Sequence, residues 1–316
     1  MMDVGIVLAT YNSERYLSEQ LDSLIRQTFS NWRCYIHDDG SNDCTRDIID
    51  AYCIKYPDHF LYLDYEPQGS AKKNFMSMLQ YVDEPYVMFS DHDDVWLDIK
   101  IQKSISRIKE IEKKTSNKGI LVFSDVSVVD ENLNTICDSY SKYTGYIPQQ
   151  YLSLNKILVK NVSNGCTMIM NRNLLNVIMR CCDYEKIVMH DYWFILVAAA
   201  TGIIDYIEEP LMLYRQHGDN VCGAVKDRSF LARRVADLQR IRKTSISEYI
   251  SQKRKWISDR RQQASLLFLL DTNICSEDIV KDFIDLGKKS WIERMLFYYR
   301  NNMFVKRQFT RLIFWG

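Results

Sequence analysis

Between Val4 and Ser90 the chain repeats one pattern: a short apolar run, a polar cluster, then a stretch with helical spacing of apolar residues. GIVLA, before Thr10, has no polar alternation, as expected of a strand buried on both faces of a parallel sheet. Further strands fit Trp32 to His37, Phe60 to Tyr65 and Tyr86 to Ser90. Tyr16, Leu17, Leu21, Leu24 and Ile25 recur on one helical face after Ser13, a plausible N-cap. Helices also fit Cys44 to Tyr56 and Lys73 to Tyr81. Strands alternating with helices predict an α/β fold: a mostly parallel sheet flanked by helices. Ligands of such sheets bind beyond the carboxyl ends of the strands. Three of those ends carry polar clusters, Thr10-Tyr11-Asn12, Asp38-Asp39 and Asp91 to Asp94, which are predicted to meet in one crevice.

Farther along, strands fit Gly119 to Cys137, Gly165 to Met170 and the LMLY run after Pro210, and a helix is expected to open at His190-Asp191-Tyr192-Trp193. The longest apolar run, Trp193 to Ile204, is interrupted by Thr201 and Gly202 and is shorter than the roughly 20 residues that span a bilayer. Nine cysteines without a CxxC pair suit a reducing compartment. The N-terminus has no basic n-region, so the expected location is cytoplasmic, and Asn161-Val162-Ser163 then has no meaning as a glycosylation sequon. Net charge is zero but uneven: 20 basic and 10 acidic residues follow Val225, against 21 and 31 before it. The expected division is a catalytic domain over residues 1–225 and a basic helical region over 226–316.

Asp91-His92-Asp93-Asp94 places three carboxylates in four residues directly after an apolar strand. Carboxylates so close repel one another unless a cation compensates, and their oxygens suit Mg²⁺ or Mn²⁺ shared with substrate phosphates. The alternative is an acidic turn capping a helix. The sequence contains no GxGxxG, GxxxxGK[ST], HExxH or GxSxG, so dinucleotide, P-loop, zincin and serine-hydrolase readings lose their main support.

VLATYNSERYLSEQLDSLIRQTFSNW, HDDGSNDCT, YVMFSDHDDVW and YRQHGDN, in this order, resemble the successive motifs of family 2 glycosyltransferases. The resemblance spans roughly residues 3 to 225 and points to bacterial O-antigen and capsule enzymes, rhamnosyltransferase-like members among them. It implies a GT-A fold, a nucleotide-diphosphate-sugar donor (UDP or dTDP) and inversion at the anomeric carbon. It further implies that Thr10, Tyr11 and Asn12 line the nucleotide pocket, with Tyr11 stacking on the base and Asp39 accepting its N3–H. Lys73, or Lys72 beside it, would meet the diphosphate. Asp91 would lie nearer the ribose and Asp93 would ligate the metal. His217 would complete the metal shell or touch phosphate, with Arg215 a surface residue. Asp191 would be the base, ionised at a helix start by the dipole, and His190 its structural neighbour. Trp96 is expected to pack as core. A nucleotidyltransferase would want a glycine-rich basic loop after the first strand, and ATYNSERYL is none. A non-catalytic sugar-nucleotide-binding protein would be expected to have lost Asp93 or Asp191, and both remain.

Beyond Lys226 basic residues crowd together at Arg233-Arg234, Arg242-Lys243, Lys253-Arg254-Lys255 and Arg260-Arg261, and the last stretch from Trp291 mixes aromatic, aliphatic and basic residues. That composition fits helices lying on an anionic membrane, where a lipid-linked saccharide acceptor would be found; the alternative is a helical region packed on the catalytic domain. No nucleic-acid-binding module accompanies the charge.

Overall fold

The computed structural model describes residues 2–181, 183–218, 246–270 and 272–303. The expected boundary at 225/226, Asp219, Asn220, the basic pairs at 233–234 and 242–243, and residues 304–316 lie outside them. The strands are β1 (Val4–Thr10), β2 (Trp32–Asp38), β3 (Phe60–Tyr62), β4 (Tyr86–Ser90), β5 (Val95–Trp96), β6 (Ile120–Val129), β7 (Thr135–Cys137), β8 (Met168–Asn171) and β9 (Ile203–Arg215). The helices are α1 (Leu17–Ile25), α2 (Thr45–Lys55), α3 (Ala71–Met78), α4 (Lys100–Glu112), α5 (Tyr140–Thr144), α6 (Leu154–Ile157), α7 (Arg172–Ile178), α8 (His190–Thr201), α9 (Ile246–Ser265), α10 (Glu277–Asp285) and α11 (Trp291–Arg300).

One sheet takes the order β3-β2-β1-β4-β8-β6-β9-β5, with β7 on the side of β6. β3, β2, β1 and β4 are mutually parallel, β8 runs against both its neighbours, and β6 and β9 are parallel again. β1 is buried at every position because it is flanked by strands on both edges and helices on both faces. Alternation along the strands sorts the core into two layers. Ile6, Leu8 and Ile36 pack with Leu21 and Leu24 of α1 and with Ile101 and Ile105 of α4. Val7, Phe89 and Phe123 pack on the other face with Phe75 of α3 and the apolar body of α8.

α8 is apolar all round and correspondingly buried. It ends at Gly202, where a Cβ would meet the Gly119 carbonyl oxygen at 2.2 Å; only glycine lets the chain turn there into β9. The C-terminal helices pack onto the same core: Ile257, Phe283 and Tyr298 join the layer that holds α8. Several expected elements differ: Tyr16, not Ser13, stands at the N-cap of α1, β3 stops at Tyr62, and the Gly119–Cys137 run is two strands, β6 and β7. Residues Gly165–Thr167 form a 3-10 turn ahead of the short strand β8. The LMLY run is the last part of a 13-residue strand that passes through Pro210 with its pairing shifted. Among the described residues no helix is long and apolar enough to cross a membrane.

Candidate active site

Register alone brings the polar strand ends together. Thr10 lies opposite Asp38 across β1 and β2, and Leu8 opposite Ser90 across β1 and β4. Asp38 is spent on the turn: its carboxylate accepts from Thr10 Oγ1 (2.8 Å), Ser41 Oγ (2.6 Å) and the Ser41 amide (2.8 Å). Asn12 sits at φ 46°, accepts from the Asn42 amide (2.9 Å) and gives its own amide to Ser41 Oγ (2.8 Å). Thr10 and Asn12 therefore brace the two loops, while the Tyr11 ring stays 53% exposed and open to stacking. One oxygen of Asp39 accepts from the Gly69 amide (3.0 Å), which fixes the carboxylate at the rim. Lys73 Nζ pairs with Glu185 (2.5 Å), and Lys72 Nζ donates to the carbonyls of Glu185 (3.2 Å) and Ile187 (3.0 Å), so both lysines reach the segment just before α8.

The acidic loop after β4 is divided by depth. Asp93 Oδ2 lies 2.8 Å from His217 Nε2, with both side chains largely buried. Asp94 is fully buried; its Oδ1 accepts the Arg215 amide (3.1 Å), and its Oδ2 has no hydrogen bond. Burial, then the charge of Asp93, pushes the Asp91 carboxyl up to about 6 and that of Asp94 well above the usual range. Ligand atoms of Asp91, Asp94 and Cys166 lie within 4.8 Å of one another. Beneath them Lys100, fully buried, gives its ammonium to the Cys166 carbonyl (2.7 Å) and lies 4.5 Å from the Trp96 ring. Trp96 is core, as expected.

The acidic loop thus offers a deeper grouping, Asp91, Asp94 and Cys166, and an outer pair, Asp93 and His217. The deeper one contains a thiol whose pKa burial raises well above its usual value, and a lysine ammonium already lies against it. Asp93 and His217 instead present a carboxylate and an imidazole, a pair that a transition-metal ion such as Mn²⁺ can take, with Mg²⁺ served by the carboxylate oxygens. The donor chemistry favours this outer set, with Asp94 and Lys100 as the charge-balanced floor beneath it.

Arg215 corrects an expectation. Read as a surface residue, it is 2% exposed. Its Nε donates to the Asp93 carbonyl (2.8 Å), Nη1 to the Glu131 carbonyl (2.6 Å) and Nη2 to Glu19, and its guanidinium lies 4.4 Å from the Tyr16 ring. It fastens the acidic loop to α1 and to the end of β6.

Asp191 stands in the first turn of α8. Asn161 Nδ2 donates to its Oδ2 (2.9 Å), and its own helix's Tyr192 amide to Oδ1 (2.6 Å). Burial outweighs these bonds and pushes its carboxyl up to about 6, which leaves the group ionised at pH 7. His190 is structural, as expected: it stacks on Phe75 at 4.2 Å, and burial pushes its pKa down to about 3. A Cβ at Gly165 would come within 2.8 Å of His190 Nε2 and 3.5 Å of the Asp191 Cβ. The next residue, Cys166, lies against Asp91 and Asp94. One turn therefore touches the acidic loop with one residue and the Asp191 helix with the residue before it. Sequence reasoning passed over Asn161, Cys166, Lys100 and Asp94. The last stood inside the tetrad and could have been found as the member adjoining Val95-Trp96.

The family model for glycosyl transferase family 2 matches residues 5–177. The dTDP-rhamnosyl transferase RfbG of Shigella flexneri is 29% identical over 227 residues, covering 69% of this chain and 74% of that protein. The next curated relatives are matched over 62% to 66% of their own length. S. aureus TarS in complex with UDP-GlcNAc has a TM-score of 0.58 to this chain at 16% identity, over 95% of this chain and 79% of that one. The mannosyltransferase PcManGT of Pyrobaculum calidifontis, in complex with GDP-Man and Mn²⁺, has a TM-score of 0.51 at 14% identity, over 95% and 73%. These structural likenesses bear on the fold, and the match to the family model covers more than half of the chain. The chain belongs to glycosyl transferase family 2 and has the GT-A fold.

Proposed function

We propose that the protein is a metal-dependent inverting glycosyltransferase that moves a sugar from a UDP- or dTDP-sugar to a saccharide, in the assembly of a bacterial surface polysaccharide. The observation that carries this reading is the turn Gly165–Thr167, whose first residue seats Asp191 and whose second touches Asp91 and Asp94. A base and a diphosphate-binding acidic loop on adjacent residues are the two halves that transfer from a nucleotide sugar requires.

Tyr11 stacks on the base and the free oxygen of Asp39 accepts from it, while Lys73 lies near the diphosphate. Asp93 and His217 would hold Mn²⁺ or Mg²⁺, which would supply charge neutralisation for the departing nucleoside diphosphate. Asp191 takes the proton of the acceptor hydroxyl as that oxygen forms its bond to C1 and the bond from C1 to the diphosphate oxygen breaks on the opposite face. Asn161 keeps the carboxylate aimed, and the raised pKa makes it a better proton acceptor at neutral pH. RfbG's dTDP-rhamnosyl activity supports a pyrimidine sugar nucleotide as donor.

The acceptor is lipid-linked in this reading, and the protein meets it from the cytoplasmic side of the membrane. α11 supports this: Ile292, Leu296 and Tyr299 share an exposed face, between Lys288-Lys289 and Arg300. An apolar helix face flanked by cations fits an anionic bilayer surface. The test of the transferase reading is incubation of the purified protein with Mn²⁺ and a panel of UDP- and dTDP-sugars. Metal-dependent binding and slow hydrolysis of at least one donor is the expected result; no binding of any donor would sink the reading.

A further inference from the structure

The pairing of β6 with β9 breaks on both sides of Asp125. Ser124 lies opposite Ile207, but Asp125 lies opposite Pro210, so Glu208 and Glu209 are extruded from β9. Pro210 has no amide to give the ladder. Bulges of this kind bend a strand, re-aim its side chains and are frequent beside active sites. Here the bulge opens a cavity of about 400 Å³ against the segment from Asp138 to Gln149, a size ordinary for a small-molecule site.

The floor of the cavity is braced. Asp125 is buried, and its carboxylate accepts from Ser139 Oγ (2.5 Å), Ser141 Oγ (3.2 Å) and the amides of Val126 (2.9 Å) and Ser141 (3.3 Å). Its lone pairs are taken, so it shapes the cavity and leaves ligand contacts to the rim. There Gln149 Nε2 donates to Glu208 (2.7 Å), and the Tyr206 ring, tilted on Phe123 at 5.0 Å, forms a wall. Asp125, Asp138 and Glu208 outnumber Lys142, so the lining is net negative and repels phosphates and uronates. Hydroxyls, an amide, exposed carboxylates and one aromatic ring are the complement of a neutral polyhydroxylated ring.

Its place in the sheet gives that chemistry a use. Val87, Met170 and Leu121 lie level across β4, β8 and β6, which puts Asp91 and Asp125 at the same height, two strand spacings or roughly 10 Å apart. Phe89 and Phe123, two residues before each, pack on the face that α8 covers. The cavity therefore lies beside the acidic loop, on the side of the sheet that carries Asp191.

We propose that this cavity is the acceptor subsite and takes a neutral sugar ring, a hexose or an N-acetylhexosamine, of the saccharide whose hydroxyl Asp191 deprotonates. This inference rests on the transferase reading. It is tested by NMR titration of the full-length protein, holding Mn²⁺ and UDP, with methyl glycosides of hexoses, N-acetylhexosamines and hexuronic acids. At least one neutral glycoside is expected to shift the amides of Ser139 and Ser141. Glu208→Ala, on the exposed bulge, is expected to weaken it about tenfold while UDP affinity stays unchanged. Intact UDP binding with no neutral glycoside bound, tighter binding of a uronide, or indifference to Glu208→Ala would overturn the subsite alone. Absence of Mn²⁺–UDP binding would overturn the transferase reading and the subsite with it.

Discussion

Replacing Arg215 by methionine removes a buried guanidinium while keeping much of its volume. Its hydrogen-bond partners lose it. The Asp93 and Glu131 carbonyls each lose a charged donor, at 2.8 and 2.6 Å, and such bonds contribute about 1.5–3 kcal/mol each. Glu19 loses less, because its side chain is 53% exposed and water replaces the pair. The sum is about 3–6 kcal/mol, and at about 2 °C per kcal/mol for a chain of this size the melting temperature drops by roughly 6–12 °C. The effect should reach the site as well. Asp93 is held at its carbonyl by Arg215 and at its carboxylate by His217 two residues on, so the Mn²⁺ concentration for half-maximal donor hydrolysis is expected to rise about tenfold. Calorimetric melting and Mn²⁺ titration of donor hydrolysis measure the two effects. Arg107→Met is the control: it removes ion pairs to Asp205 and Glu110 at a 40% exposed side chain and should cost under about 1 kcal/mol. If Arg215→Met melts within a degree of the parent and keeps its Mn²⁺ response, the fastening role assigned to Arg215 is wrong.

Four further outcomes are expected. With the Asp191 and Asp91 carboxyls both at about 6, kcat/KM for transfer should fall as pH drops below about 6, and a profile flat to pH 4.5 would exclude Asp191 as the base. The same shift makes the folded state favour the protonated carboxyl, so its stabilisation is full below the ordinary value of 3.8 and lost as pH rises through about 6. Asp191→Asn should therefore melt higher than the parent at pH 7; an equal or lower melting point would contradict the desolvation argument. Asp93→Asn and His217→Ala should each weaken donor binding in Mn²⁺ and leave metal-free nucleotide binding unchanged, measured by calorimetry. Ile292→Glu with Leu296→Glu, both exposed, should leave the melting temperature unchanged and abolish sedimentation with anionic vesicles; retained sedimentation would remove α11 from the membrane reading.

The sheet was legible because its signal is local. A run such as GIVLA between polar breaks admits a doubly buried strand, and the register of β1 with β2 and β4 then brings Thr10, Asp38 and Asp91 together at one edge. What was hidden depends on contacts distant in sequence. Nothing in YRQHG shows that Arg215 turns inward, because its partners Glu19, Asp93 and Glu131 lie at least 84 residues away. Lys100 looks like a helix-start cation, and only the Cys166 carbonyl, 66 residues on, explains its burial. Asn161 reads as an idle sequon until it meets Asp191. The raised pKa of Asp191 was hidden for a related reason: a helix start is visible in sequence, whereas the desolvation that outweighs its dipole comes from the packing around it.

The central claim is that the Gly165–Thr167 turn joins a donor-holding acidic loop to a separate proton acceptor. The most direct test measures donor binding and sugar transfer together in Asp191→Asn. The account predicts a loss of transfer of about a hundredfold to ten-thousandfold, with donor affinity within about twofold of the parent. Transfer within about tenfold of the parent, or donor binding lost as far as in Asp93→Asn, would contradict it.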